Sequence, residues 1–280
     1  MSEKNNLNVQ YSPSKWSTRM CSCQVLKEHF DFIKKESDKA RKIIPCELDI
    51  KYGDTPEEKL DILGSDLPDD SPICFFIHGG FWSALTKQDS SYPALKLHSM
   101  GIKTFVIDYA LCPQVTLKTI TEQIQRAFDY TLKYAEEKKS SAVYLMGHSA
   151  GAHLVAYLLS TTTSPLTSVK SAILISGIYD LRPLINCYVN NDLHLSQKEA
   201  EDLRIKFKSN FYKKLNIFVV IAENDSPAFH EQSKQLYSSL KTSKINATFI
   251  EIEKKDHFDI MHSIIDESVN NLGIILKSIL

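Results

Sequence analysis

The chain has 280 residues, 43% of them hydrophobic, and balances 33 Lys+Arg against 34 Asp+Glu for a formal charge of −1. That composition can fill a sizeable core but offers no basic stripe or polybasic run, so neither nucleic acid nor an anionic membrane is expected as a partner. Its apolar runs, such as Ile217-Phe-Val-Val-Ile-Ala222, are strand-length and far below the ~18 residues of a membrane span.

In chain order, residues 1 to about 20 read as an irregular arm, with a polar start that lacks a signal-peptide core. A helix follows, with apolar positions at Val25, Leu26, Phe30, Phe32 and Ile33. Two short strands, about 46–52 and 59–64, flank Gly53-Asp-Thr-Pro56 as a hairpin. Buried-looking runs then recur at 73–77, 104–108, 142–146, 171–175, 217–221 and 247–252. Helical stretches separate them, at about 88–100, 116–138, 149–161, 228–242 and 259–279. This alternation predicts an α/β chain with a mostly parallel sheet and helices on both faces. Although the length prior is about two domains, no linker or repeat divides the chain, so residues 1–280 are expected to form one domain. Residues 182–212 break the rhythm. They hold a helix near Gln197 and read either as a small cap over the strand ends or as a surface crossover. Six scattered cysteines without a C-x-x-C pair read as reduced. With sequons at Asn224 and Asn246, the first beside a candidate site residue, this points to the cytosol.

Gly147-His148-Ser149-Ala150-Gly151 is a G-x-S-x-G turn between a strand and a helix, the context of a nucleophile elbow. A serine helix cap after a glycine turn is the plainer reading of this motif alone. A serine nucleophile needs a base and a group that orients the base. An acid follows a late strand at Asp225, and a histidine follows the last strand at His257. Glu223 is the nearest rival acid, one strand step earlier. Asp256 and Asp259 are expected to be loop or cap residues. An early strand ends in His78-Gly79-Gly80-Phe81-Trp82, where bare backbone can bring N–H groups to a reacting carbonyl. The expected oxyanion donors are Gly79, Gly80 and the Ala150 N–H opposite. Each such donor is typically worth about 3 kcal/mol in the transition state.

Other groups read as supporting. His148 is a packing or solvent-facing residue, and His153 a satisfied core histidine. Phe81 and Trp82 either stack on an aromatic substrate or wall the loop. No H-E-x-x-H occurs, His257 and His262 are five apart, and there is no glycine-rich nucleotide loop, so neither metal nor cofactor is expected.

Several of these segments together resemble the kynurenine formamidases (arylformamidases), animal members above all. His78-Gly-Gly-Phe-Trp82 is similar to the family's H-G-G-x-W, and Gly147-His-Ser-Ala-Gly-Ala-His-Leu154 to its elbow. Phe105-Val-Ile-Asp-Tyr-Ala-Leu-Cys-Pro-Gln-Val-Thr-Leu117, Ser176-Gly-Ile-Tyr-Asp-Leu-Arg182, Ala222-Glu-Asn-Asp-Ser226, Asp256-His-Phe-Asp259 and Tyr11-Ser-Pro13 resemble its other blocks. The family's usual Ser-Pro is missing from Glu201-Asp-Leu-Arg-Ile-Lys-Phe207. The resemblance implies an α/β-hydrolase fold with a small cap, and a small-molecule substrate, N-formyl-L-kynurenine, cleaved to L-kynurenine and formate. It implies a pocket for a large aromatic amino acid, for which Phe81, Trp82 and Tyr179 are the candidates. The alternative is a general carboxylesterase of the same fold; a non-enzymatic binding protein is disfavoured because serine, acid and histidine are all kept. A homodimer, and a nuclear pool beside the cytosolic one, are expectations with no motif behind them.

Overall fold

The computed structural model describes residues 3–164, 166–207, 215–266 and 271–280. Eight strands form one sheet: β1 (Cys46–Lys51), β2 (Lys59–Leu63), β3 (Ile73–Ile77), β4 (Lys103–Ile107), β5 (Val143–His148), β6 (Val169–Ile175), β7 (Asn216–Ala222) and β8 (Asn246–Ile252). Their order is β1-β2-β4-β3-β5-β6-β7-β8. The β1–β2 hairpin lies antiparallel to itself and to β4, and every pairing from β4 through β8 is parallel. The described helices are α1 (Glu3–Gln10), α2 (Ser22–Ile43), α3 (Ala94–Ser99), α4 (Leu117–Lys138), α5 (Ala150–Thr161), α6 (Asn190–Leu193), α7 (Gln197–Asp202), α8 (Pro227–Thr242), α9 (Asp259–His262) and α10 (Leu272–Ile279). None is long and apolar enough to cross a membrane.

The central strand β3 is apolar and buried at every position because both faces are covered. On β3, Ile73, Phe75 and Ile77 turn to one face, where Phe128 of α4, Val155 of α5 and Phe229 of α8 pack. Cys74 and Phe76 turn to the other, against Ile33 of α2, Leu97 of α3 and Leu276 of α10. This period-2 division of one strand between two cores makes the molecule a three-layer α/β structure.

Three expected elements differ. The arm before residue 20 contains α1 and a 3₁₀ turn at Pro13–Lys15. The helix expected over 88–100 shrinks to Ala94–Ser99, because Pro93 lacks the N–H that an earlier start would need. The closing helix is two helices, α9 and α10, and residues 267–270 between them lie outside the described set. Within 182–212, a 3₁₀ turn (Arg182–Asn186), α6 and α7 follow one another, and residues 208–212 lie outside the described set. The Asn190 amide ties this segment together. It donates to the Ile185 and Leu195 carbonyls and accepts from the Leu195 N–H.

Candidate active site

Ser149 sits between β5 and α5 at φ 55°, ψ −117°, a strained conformation for a residue with a side chain. The glycines on either side explain how the turn closes. A Cβ on Gly147 would lie 2.3 Å from the Gly151 oxygen, and one on Gly151 would lie 2.1 Å from the Ile77 oxygen. Two strands and a helix therefore meet at bare backbone, and the turn is pinned by Ser149 N–H donating to Ile175 O at 2.8 Å. In the first turn of α5 the Ala152 and His153 N–H groups donate to Ser149 O, and the positive end of the helix dipole lies beside the serine.

Asp225 and His257 come from the loops after β7 and β8. Asp225 Oδ1 lies 2.7 Å from His257 Nδ1, and both residues are buried. A carboxylate at Nδ1 keeps the proton on that nitrogen and leaves Nε2 as an acceptor. The second carboxylate oxygen, Oδ2, accepts from Ser176 Oγ at 2.5 Å and from Ala222 N–H at 3.2 Å. Glu223 points away: it is exposed, and its carboxylate accepts from Lys254 N–H. Among the described residues no hydrogen bond joins Ser149 Oγ to His257. Both face one cavity, and serine–histidine contacts of this kind are often long before substrate arrives.

His148 is buried and its Nε2 donates to the His257 carbonyl at 2.9 Å. Desolvation, with His257 beside it, holds its imidazole well below the usual histidine range, so the contact is that of a neutral ring. The loop after β3 lies against the elbow. A Cβ on Gly79 would come within 3.0 Å of His148 O and 3.2 Å of Ser149 Cβ, and Gly80 has φ +95°. The His78 ring stacks on Tyr109 with centroids 4.4 Å apart, and its Nδ1 lies 2.9 Å from Gly79 O. The His78 side chain thus braces the loop from beneath.

The cavity in front of Ser149 has a volume of about 250 Å³, at the small end for ligand sites. It is lined by Gly80, Phe81, Ser149 and His257, by Pro13 and Ser14, by Leu26, His29 and Phe30 of α2, and by Tyr188, Val189 and Asp192. Tyr188, Val189 and Asp192 thus bring part of the 182–212 segment to the cavity that holds Ser149. Of the three expected pocket residues, Phe81 lines this cavity and the other two do not. Trp82 has no exposed surface and packs edge-on against His153, 5.2 Å away. Its φ is 56°. Tyr179 is buried and borders a separate small cavity with Asp180 and Gln232. His153 is a core residue as expected, with Nε2 3.0 Å from Leu203 O.

Two groups of neighbours were not visible in the sequence. His29 Nδ1 lies 3.0 Å from His262 Nε2, and its ring packs 5.1 Å from Phe258, beside His257. It completes the α2 stripe Val25, Leu26, Phe30, Ile33 at helical spacing, which was the available signal. The second group holds the histidine loop. Ser17 Oγ donates to Asp256 Oδ2 at 2.6 Å and Arg19 Nε to the same oxygen at 2.9 Å. Asp256 Oδ1 caps the Phe258 and Asp259 N–H groups. Those hydrogen bonds hold the Asp256 carboxyl far below its usual range, although burial opposes them, while burial and the Asp256 charge push Asp259 up to about 6.

A family model described as the alpha/beta hydrolase fold matches residues 74–260. A kynurenine formamidase of Danio rerio is 35% identical, over 99% of this chain and 96% of its own length. One of Drosophila melanogaster is 33% identical, over 78% of this chain and 77% of its own. Among solved structures, a Silicibacter protein described as a thioesterase superposes with a TM-score of 0.77 at 24% identity, covering 94% of this chain and 96% of that one. At that identity it speaks for the fold alone.

Proposed function

The chain belongs to the kynurenine formamidase family of α/β-hydrolases, and on that footing we propose that it hydrolyses N-formyl-L-kynurenine to L-kynurenine and formate, a step of tryptophan breakdown, with Ser149, His257 and Asp225 as its triad. The observation that carries the reading is the 2.7 Å pair Asp225–His257 at the cavity that also exposes Ser149.

Ser149 Oγ attacks the formyl carbon while His257 Nε2 takes its proton. Asp225 fixes the imidazole tautomer and stabilises the cation that forms. The oxyanion is received by backbone N–H groups of Gly79, Gly80 and Ala150, with the α5 N-terminus behind them. Collapse of the tetrahedral species breaks the C–N bond, and His257 protonates the departing aniline nitrogen. Water, deprotonated by His257, then attacks the formyl-enzyme and releases formate. Formyl is the smallest acyl group, so the cavity, with Phe30, Phe81 and Tyr188 in its lining, is left to the aromatic amine.

Six free thiols support a cytosolic site of action; a nuclear pool is part of the same proposal. A homodimer is tested by sedimentation. Nucleic acid and membrane have no place in this reaction.

The test is kcat/KM for N-formyl-L-kynurenine beside p-nitrophenyl acetate, with Ser149→Ala as the blank. A strong preference for the formamide, lost by roughly 10⁴-fold or more in the blank, is expected. Brisk ester cleavage with little formamide turnover would make the chain a carboxylesterase with the same machinery.

A further inference from the structure

Hydrolysis of the formyl group leaves one cavity residue without a task. Asp192, on α6, stands exposed at the rim of the cavity that holds Ser149 and His257. The neighbouring acids are engaged: Asp180 with Arg182, Asp202 with Lys198, Glu201 with Lys206, and Glu199 in a capping box with Ser196. Among the described residues, no basic side chain pairs with Asp192. Among the described residues, no lysine or arginine lines the cavity. Of its histidines, His29 and His148 are held neutral by burial. Among the described lining residues, Asp192 carries the one carboxylate. It is also held in place. Asn190 ties down both ends of α6. Tyr188 is anchored to the N-terminal arm by its N–H on Asn8 Oδ1 at 2.7 Å and its hydroxyl on Tyr11 O at 3.2 Å.

We propose that Asp192 is a specificity residue that receives the α-ammonium group of an amino-acid substrate, a role that rests on the formamide-hydrolase reading of the same cavity. A cation entering here meets an uncompensated carboxylate. The substrate's own carboxylate finds no lysine or arginine among the described lining residues and stays toward solvent. The two ends of the amino acid are thereby sorted, which turns the aryl formamide toward Ser149. The pair forms at a partly solvated rim, so its effect is a modest factor, about fivefold.

The test compares N-formyl-L-kynurenine with the same keto-formanilide acid carrying hydrogen in place of the α-amine. Wild type is expected to prefer the amine-bearing compound. Asp192→Asn lowers that preference, the ratio of the two kcat/KM values, about fivefold. The loss appears in KM for the amine-bearing compound, and Asp192→Glu restores most of it. An unchanged ratio in Asp192→Asn overturns the assignment while leaving the formamidase reading intact. If wild type cleaves p-nitrophenyl acetate but neither formamide, the formamidase reading falls, and the role of Asp192 falls with it.

Discussion

The Ser176 hydroxyl donates a 2.5 Å hydrogen bond to Oδ2 of Asp225, the carboxylate oxygen turned away from His257. Ser176 closes β6 with a φ of 47° and no exposed surface, so the contact is fixed by a strained backbone rather than by a free rotor. It sets the plane of the carboxylate and hence the line of the imidazole. Ser176→Ala should lower kcat/KM about tenfold, the equivalent of about 1.4 kcal/mol, with a smaller change in KM. Asp225→Asn should lose far more, because an amide permits the wrong tautomer of His257. Glu223→Gln should remain near wild type. The reverse order between positions 223 and 225 would move the acid to Glu223.

Arg19 ties the N-terminal arm to the residue before the base. Its Nε donates to Asp256 Oδ2, and its guanidinium also pairs with Glu28. Asp256 is only 1% exposed, so removing its cation leaves a buried carboxylate partly unpaired, a loss of about 1–3 kcal/mol. Arg19→Leu should lower the melting temperature. It should also reduce kcat more than KM, since the loop that presents His257 loosens while the pocket wall stays. A variant that melts lower but turns over normally would reduce Arg19 to a stability role.

The parts of this site that could be read from the sequence share one property. Ser149, Asp225 and His257 each follow an apolar strand run, and a parallel sheet delivers successive strand ends to one edge. Local pattern therefore implied their convergence. Arg19 and Asp256 are 237 residues apart, and Asn8 and Tyr188 are 180 apart; no periodicity connects such pairs. α1 escaped notice because Glu3–Gln10 offers too few apolar residues for a stripe. Its place comes from docking, with Gln10 Oε1 accepting from Ala228 N–H at 3.1 Å. Trp82 and Tyr179 were expected in the pocket from residue type, but type does not give direction. Phe81 and Trp82 both have positive φ, yet one ring lines the cavity and the other is sealed beneath it.

Gly151 has the tightest backbone approach in the elbow. An added Cβ would sit 2.1 Å from Ile77 O and 2.6 Å from His78 O, both main-chain atoms of the strand and loop that position Gly79. Gly151→Ala must push α5 off β3, and is expected to be destabilising by more than about 3 kcal/mol or to prevent soluble expression. Gly101→Ala is the contrast, since an added Cβ there meets nothing within 4 Å. Its only penalty is the φ of +75°, of the order of 1 kcal/mol. Chemical denaturation of the two variants checks the difference, and equal losses would show that packing at the elbow is looser than these distances require.

The His29–His262 contact should give stability a pH signature. With the ring nitrogens 3.0 Å apart, one imidazole donates and the other accepts, which two protonated rings cannot do. Burial is the main cause that lowers His29 to about 3 and His262 to about 4, both below the ~6.5 of an unfolded histidine. As pH falls below 6.5 the unfolded chain takes up protons that the folded one refuses. The folded state therefore loses stability from about pH 6.5 down toward 3, by at most about 1.4 kcal/mol per pH unit for each imidazole. Asp259, raised to about 6, acts in the opposite sense, while His153, lowered to about 4, and His148, held well below the usual range by burial, act in the same sense. All three remain as background in a His262 variant. His262→Gln keeps a hydrogen-bonding side chain that cannot take a charge. Its melting temperature should fall less than that of wild type between pH 7 and pH 4.5. Parallel curves for the two proteins would mean that His262 titrates alike in the folded and unfolded states.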